Sequence, residues 1–207
     1  MRWLMLAAAV LATGCASGLR SSAPASQTYI LRATVPAQAA PAAPPTATLQ
    51  VQLPLAAPGL QSERIVIVQS GHRMSYYAGS EWAAEVPDLV EELTVERLRA
   101  AGDWTAVFDA SSTLTSDYLL QIRIRRFEAE YGGEAPPAAQ VVFDCTLARR
   151  SDHAALSSFT AHGSAAAGAN RLGAVVAAFE EAVNAALGEV VTSSAQASKS
   201  SQSPTNP

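Results

Sequence analysis

The chain has 207 residues, 49% of them hydrophobic, and 14 Lys and Arg stand against 18 Asp and Glu for a formal net charge of −4. No basic run breaks this acidic balance, which excludes nucleic acid as a partner. Cys15 and Cys145 are too few for a disulfide framework, so an ordinary apolar core must hold the fold together.

Residues 1–14 read as a lipoprotein signal peptide. Arg2 supplies its positive start, and Trp3 to Leu11 form an apolar run too short to stay in a bilayer as a spanning helix. Ala12-Thr13-Gly14-Cys15 has the form of a lipoprotein processing box, in which small residues fit the peptidase cleft and the Cys15 thiol takes palmitate-type acyl chains. Ala12 stands where such boxes usually carry Leu. An ordinary signal peptide cut after a small residue is the competing reading. Each buried acyl methylene contributes about 0.8 kcal/mol, so two or more chains tether a protein stably without spanning the membrane. Cleavage removes Arg2 and leaves 13 bases against 18 acids, a formal −5. Ala16 follows the cysteine where Asp would resemble an inner-membrane retention signal. The expected address is therefore the periplasmic face of the outer membrane.

Residues 15–48 comprise the acylated cysteine, a short strand candidate at Thr28 to Arg32, and an Ala- and Pro-rich linker. The folded domain is expected over 49–191. Residues 192–207, mostly Ser, Ala, Gln and Pro, read as a disordered tail that buries too little apolar area to offset its ordering.

Within the domain, Leu49, Val51 and Leu53 alternate with Gln50 and Gln52 as a half-buried strand, and Ile65 to Val68 read as a buried one. Tyr76, Tyr77 and Trp82 follow in a loop-like segment containing Gly71 and Gly79. Pro87-Asp88 opens a helix whose buried face holds Val86, Leu89, Val90, Leu93 and Leu98, and Gly102 closes it. A short strand around Trp104, Val107 and Phe108 comes next. A longer one places Tyr118, Leu120, Ile122 and Ile124 on one side and Arg123 and Arg125 on the other.

The alternation slips at Arg126 and Phe127, which signals a β-bulge. Gly132-Gly133 and Pro136-Pro137 mark a turn before the alternating Val141, Phe143, Cys145 and Leu147. A connection at Arg149 to His153 leads to a strand with Leu156 and Phe159, completing an antiparallel meander. Asn170 is an expected N-cap for a last helix, whose stripe of Leu172, Val175, Val176, Phe179, Val183, Leu187 and Val190 suits packing on a sheet. The expected fold is α/β of the α+β type: a single domain with a mixed, mostly antiparallel sheet and two main helices packed on it.

No Gly-x-x-x-x-Gly-Lys phosphate loop and no Gly-x-Ser-x-Gly elbow occurs, so the chain reads as no enzyme and no catalytic residue is assigned. His72, His153 and His162 lack ligand spacing, which leaves no metal site, and no cofactor is expected beyond lipid on Cys15. Glu91, Glu92, Glu96 and Arg99 read as a solvated helix face. Arg123, Arg125 and Arg126 read as strand cations balanced by Glu128 and Glu130 rather than as a phosphate grip. Cys145 reads as a buried small hydrophobe. Tyr76, Tyr77 and Trp82 are the candidate contacts for a partner or for lipid, although Trp82 equally suits a staple onto the core.

The order and spacing of several segments resemble a known family. They are Tyr29-Ile30-Leu31, Arg64 to Val68, Tyr76-Tyr77 with Trp82-Ala83, Pro87-Asp88-Leu89-Val90 with Leu93 and Leu98, and Trp104 to Val107. Asp117 to Leu120, Phe127 to Tyr131 and Val175 to Phe179 complete the set. Behind a processing box, this order resembles the ABC-type transport auxiliary lipoproteins of the paraquat-inducible type. The resemblance implies an accessory subunit on the outer membrane that docks a mammalian-cell-entry-domain periplasmic protein. An inner-membrane permease and ATPase belong to the same system, which moves phospholipids or other hydrophobic molecules between the membranes. The alternative is a scaffold lipoprotein for outer-membrane assembly or cell-wall binding. A homo-oligomer would suit docking onto a symmetric partner.

Overall fold

In the computed structural model, which describes residues 26–34, 44–70, 72–133 and 136–202, one long strand organises the rest. Strand β7 (Tyr118–Glu130) pairs antiparallel along its length with β8 (Ala138–Arg149), which pairs antiparallel with β9 (Ala155–Ala166). The other edge of β7 receives three strands in succession, all parallel to it: β2 (Thr48–Val51), β3 (Leu55–Ala56) and β4 (Arg64–Gln69). β5 (Arg73–Trp82) forms a hairpin with β4 and is joined by the parallel β1 (Gln27–Tyr29), while β6 (Ala106–Phe108) pairs parallel with β2. The result is a nine-stranded mixed sheet dominated by the antiparallel ladders of β7, β8 and β9.

Helix α1 (Val86–Ala101) starts with Pro87 in its first turn and stops at Gly102, whose φ of 70° only glycine adopts without strain. Its Leu89, Val90, Leu93 and Leu98 are buried against the sheet, on the face that 3.6-residue spacing dictates. Helix α2 (Leu172–Gln202) lays Val175, Phe179, Val183, Leu187 and Val190 on the same core. No helix among the described residues is long and apolar enough to cross a membrane.

Alternation along β8 buries Ala139, Val141, Phe143, Cys145 and Leu147 under the helices and turns Gln140, Val142, Asp144 and Thr146 to the opposite side. The helices thus cover one face of the sheet; the other carries no helix, although Gln50, Val66 and Glu128 are buried on that side. The core centres on Trp82, Phe127 and Phe179, whose ring centroids lie 5.9, 5.2 and 5.3 Å apart pairwise.

Four expectations are corrected. Residues 192–202 are helical rather than a disordered tail: Ser194 and Ser198 are buried and their hydroxyls donate back to the Val191 and Ala195 carbonyls. A Ser-rich segment can pack when its hydroxyls are satisfied inside the helix. The segment holding Tyr76 and Tyr77 is strand β5, and Gly79 (φ 61°) marks an irregularity within it, where the β4 register jumps between Arg64 and Val66. Leu53 is 50% exposed although Leu49 and Val51 are fully buried, because Pro54 cannot continue the ladder and β2 ends at Val51. Asn170 does not cap α2: its Oδ1 accepts the Tyr131 hydroxyl at 2.9 Å, and the first helical bond runs from Val175 N–H to the Arg171 carbonyl.

The folded unit also begins before Leu49. Leu31 is buried, the Thr34 N–H donates to Asn184 Oδ1 at 2.6 Å, and Arg97 Nη1 donates to the Thr34 carbonyl at 2.7 Å. Both helices therefore grip the chain just after β1. The bulge expected after Ile124 is present, with the β7–β8 register shifting between Ile124 and Arg126. Residues 1–14, Cys15 and residues 203–207 lie outside the described residues.

Candidate functional site

Successive strand residues point to opposite faces, and this separates the aromatic candidates. Tyr76 pairs with Val66 and, through it, with Glu128 and Gln140, a row on the sheet face away from the helices in which Val66 and Glu128 are themselves buried. It is 36% exposed and carries the Arg64 guanidinium 4.8 Å from its ring centroid. Tyr77 points the other way. Its hydroxyl lies 2.8 Å from that of Tyr131, which in turn donates to Asn170, so Tyr77 fastens β5 to the end of β7 and the approach to α2. Burial, then this hydrogen bond, raises the Tyr77 phenol above its usual range.

Trp82, the third candidate, is 1% exposed and sits edge-on to Phe127 and Phe179. The irregularity at Gly79 changes the alternation, so Trp82 enters the core although Tyr76 stands outside. A partner contact at Trp82 is thereby overturned in favour of the staple.

Around Tyr76 the face away from the helices carries features that alternation alone did not reveal. Met74 is 43% exposed, and a Cβ on Gly59 would lie 2.8 Å from its sulfur, so the turn after β3 leans against β5. Leu53 and Leu55, 50% and 57% exposed, border a shallow hollow of about 350 Å³ whose floor includes Gln121, Arg123 and Thr146. Pro54 between two leucines was the available signal, since it detaches both from a regular ladder.

Two arginines of this face are bound up in pairs. Arg126 contacts Glu128 at 2.7 Å and Glu130 at 3.0 Å, and Arg125 contacts Asp144 at 2.8 Å. The hydrogen bond from Arg125, with a second from Thr160, holds the Asp144 carboxyl below the usual carboxylate range. Balanced strand cations are what the sequence implies for this region.

At one end of the face, Gln50 lies 8% exposed beneath the loop between β6 and β7. Its amide nitrogen donates to the Asp109 and Ser112 carbonyls, both at 3.1 Å, and its carbonyl accepts from Arg150 Nη2. Arg150 Nε also donates to Ser116 Oγ at 3.2 Å. This network fixes a loop from which Leu114 protrudes, 61% exposed.

The helical side has another character. Asp88, Glu91, Glu92, Glu96, Arg99 and Asp109 line an acidic groove beside α1, where Glu91 accepts the Ala110 N–H at 2.6 Å. Among the described residues, no group of three or more His, Cys, Asp and Glu is placed so that it could hold a metal ion. Cys145 is buried, and burial with the nearby Asp144 charge pushes its thiol up to about 12, which suppresses the thiolate that nucleophilic chemistry needs.

The model for the ABC-type transport auxiliary lipoprotein component matches residues 29–191. The chain belongs to this family. The solved structure of protein XCC0632 from Xanthomonas campestris is similar to this lipoprotein with a TM-score of 0.75 and 28% identity, covering 86% of this chain and 100% of that one. The structure of an uncharacterized protein shares the fold at a TM-score of 0.64 and 14% identity, covering 82% and 99% of the two chains. No curated protein matches the lipoprotein's sequence. Family membership makes the chain an accessory lipoprotein associated with an ABC-type transport system and anchored to a membrane of the cell envelope.

Proposed function

We propose that this lipoprotein is held by acyl chains on Cys15 at the periplasmic face of the outer membrane, where it docks a mammalian-cell-entry-domain periplasmic protein. The permease and ATPase of that system lie in the inner membrane, and the system moves phospholipids or other hydrophobic molecules between the two membranes. The lipoprotein contributes binding and placement, not a bond-making step. The observation that carries this reading is the family match across residues 29–191, which takes in every strand from β2 onward and both helices up to Val191. The processing box before Cys15 supports the anchor, and Ala16 supports the outer-membrane address.

Crosslinking the tagged protein in intact cells, followed by purification from solubilised membranes, tests it. Recovery of a mammalian-cell-entry protein with a permease and an ATPase is the expected result. Recovery of cell-wall or outer-membrane assembly factors alone would move the protein to the scaffold class.

A further inference from the structure

Residues 27–34 lie at the rim of the sheet, held by few contacts. β1 pairs with β5 over three residues, Gln27 to Tyr29, and ends the strand order on that side. The Tyr29 carbonyl accepts the Ala83 N–H at 2.9 Å and Leu31 enters the core, while Gln27, Thr28, Ile30, Arg32 and Thr34 are exposed. Beyond Leu31 the grip passes to side chains of the helices. Asn184 Oδ1 accepts the Thr34 N–H at 2.6 Å and its Nδ2 donates to the Arg32 carbonyl at 3.0 Å. One amide thus bonds the chain on both sides of Ala33, as a neighbouring strand would. These bonds read backbone only, and water replaces them on release.

Arg97 works against the docked arrangement. Its Nη1 donates to the Thr34 carbonyl at 2.7 Å, yet its Nε is buried with no hydrogen-bond partner among the described residues, where it also makes no ion pair within 4.0 Å. Burial accordingly lowers the Arg97 pKa from its ordinary value. A buried guanidinium nitrogen without a partner destabilises the state that buries it, and withdrawing the Thr34 carbonyl opens the group to water. One buried apolar anchor, backbone-only bonds and an unsatisfied cation are the marks of a unit that opens below the free energy of global unfolding. The long antiparallel ladders of β7, β8 and β9 have the opposite character.

We propose that residues 27–34 form a releasable strap, which leaves the rim of the sheet as a unit while the rest of the domain stays folded, and so lengthens the tether to the membrane. Cys15 precedes Gln27 by 12 residues and Thr48 by 33. At full extension these spans reach about 40 Å and about 110 Å, so release nearly triples the distance from the anchor at which the domain can stand. Docked, the strap keeps the domain close to its own membrane; released, it lets the domain meet a transport partner further out. The tether length rests on the reading of Cys15 as the anchor, whereas the opening of the strap does not.

Hydrogen exchange followed by mass spectrometry on the full mature chain tests the opening. Residues 27–34 are expected to exchange about a hundredfold or more faster than the β7–β8 ladder, yet about tenfold or more slower than an unstructured peptide, with a weak dependence on urea. Leu31→Ser with Asn184→Ala raises exchange in this segment about tenfold and leaves the ladder unchanged. A disulfide between Thr28→Cys and Glu81→Cys, which are register partners, slows it about tenfold in a Cys15→Ser background. For the tether, energy transfer from a dye on Thr192→Cys to a labelled lipid, in vesicles carrying the acylated protein, is expected to fall in the Leu31→Ser, Asn184→Ala variant. The proposal is overturned if residues 27–34 exchange only with the rate and urea slope of the ladder, or show no protection in the parent. It is equally overturned if that variant leaves exchange or energy transfer unchanged. Mass spectrometry that finds no acyl chain on Cys15 sinks the anchor reading and the tether length with it, while the exchange results still decide the strap.

Discussion

Gly163 on β9 lies so close to Ala182 on α2 that a Cβ at position 163 would stand 1.8 Å from the Ala182 carbonyl oxygen. The obstacle is helix backbone, which cannot rotate away as a side chain can. Gly163→Ala must therefore push α2 off the sheet, with a cost of about 3 kcal/mol or more. For a domain of this size, thermal unfolding followed by circular dichroism should show a melting temperature lower by roughly 6–12 °C. An unchanged transition would mean that α2 does not seat on β9 as closely as described.

Trp82 and Tyr76 lie six residues apart on one strand and should respond oppositely to truncation. Trp82→Ala opens a cavity beside Phe127 and Phe179 and should cost about 3–5 kcal/mol. Tyr76→Ala removes an exposed ring and its contact with Arg64, and should cost less than about 1 kcal/mol. Urea unfolding of the two variants gives the comparison.

Gln50→Leu should loosen the loop between β6 and β7. It leaves the Asp109 and Ser112 carbonyls and one arm of Arg150 without their partner, which costs on the order of 2–3 kcal/mol. Amide hydrogen exchange at residues 110–116 should accelerate, while the β8–β9 ladder stays protected. Equal acceleration throughout would show that Gln50 supports the whole domain instead of this loop.

Asp117 links stability to acid. Its carboxylate accepts the Thr48 hydroxyl at 2.7 Å and the Thr48 N–H at 2.8 Å, and these bonds lower its pKa from the ordinary 3.8. The folded state thus prefers the ionised form. The resulting stabilisation is fully present above the unfolded value and is lost as pH falls below about 4 and through the folded value. Asp117→Asn should flatten the acid limb of a stability–pH curve and lower stability at neutral pH. A limb as steep as the parent's would assign the acid response to other carboxylates.

Much of this architecture was legible because hydrophobic period follows burial. The stripe from Val175 to Val190 and the alternation from Val141 to Leu147 each face one apolar neighbour, so pattern and structure agree. The slip at Arg126 was visible for the same reason. Where reading failed, a local signal had a second meaning. Gly79 marked an irregularity inside a strand rather than a loop, and that irregularity reversed the side on which Trp82 emerges. Ser194 and Ser198 looked like disorder because composition does not record hydroxyls turned back onto their own helix. The parallel strands along β7 were illegible, since nothing in β2, β3 or β4 names a partner more than sixty residues away.

That parallel docking bears on how the chain is made. Translation delivers β2, β3 and β4 first, yet their shared edge is β7, which appears only after α1 and β6 have been synthesised. The β7, β8 and β9 hairpins need only neighbouring residues and can close at once, whereas the early strands must wait with bare Val and Ile edges. The first half of the protein is therefore built as a guest for a host that does not yet exist, and whatever handles the nascent chain must keep that guest from pairing elsewhere.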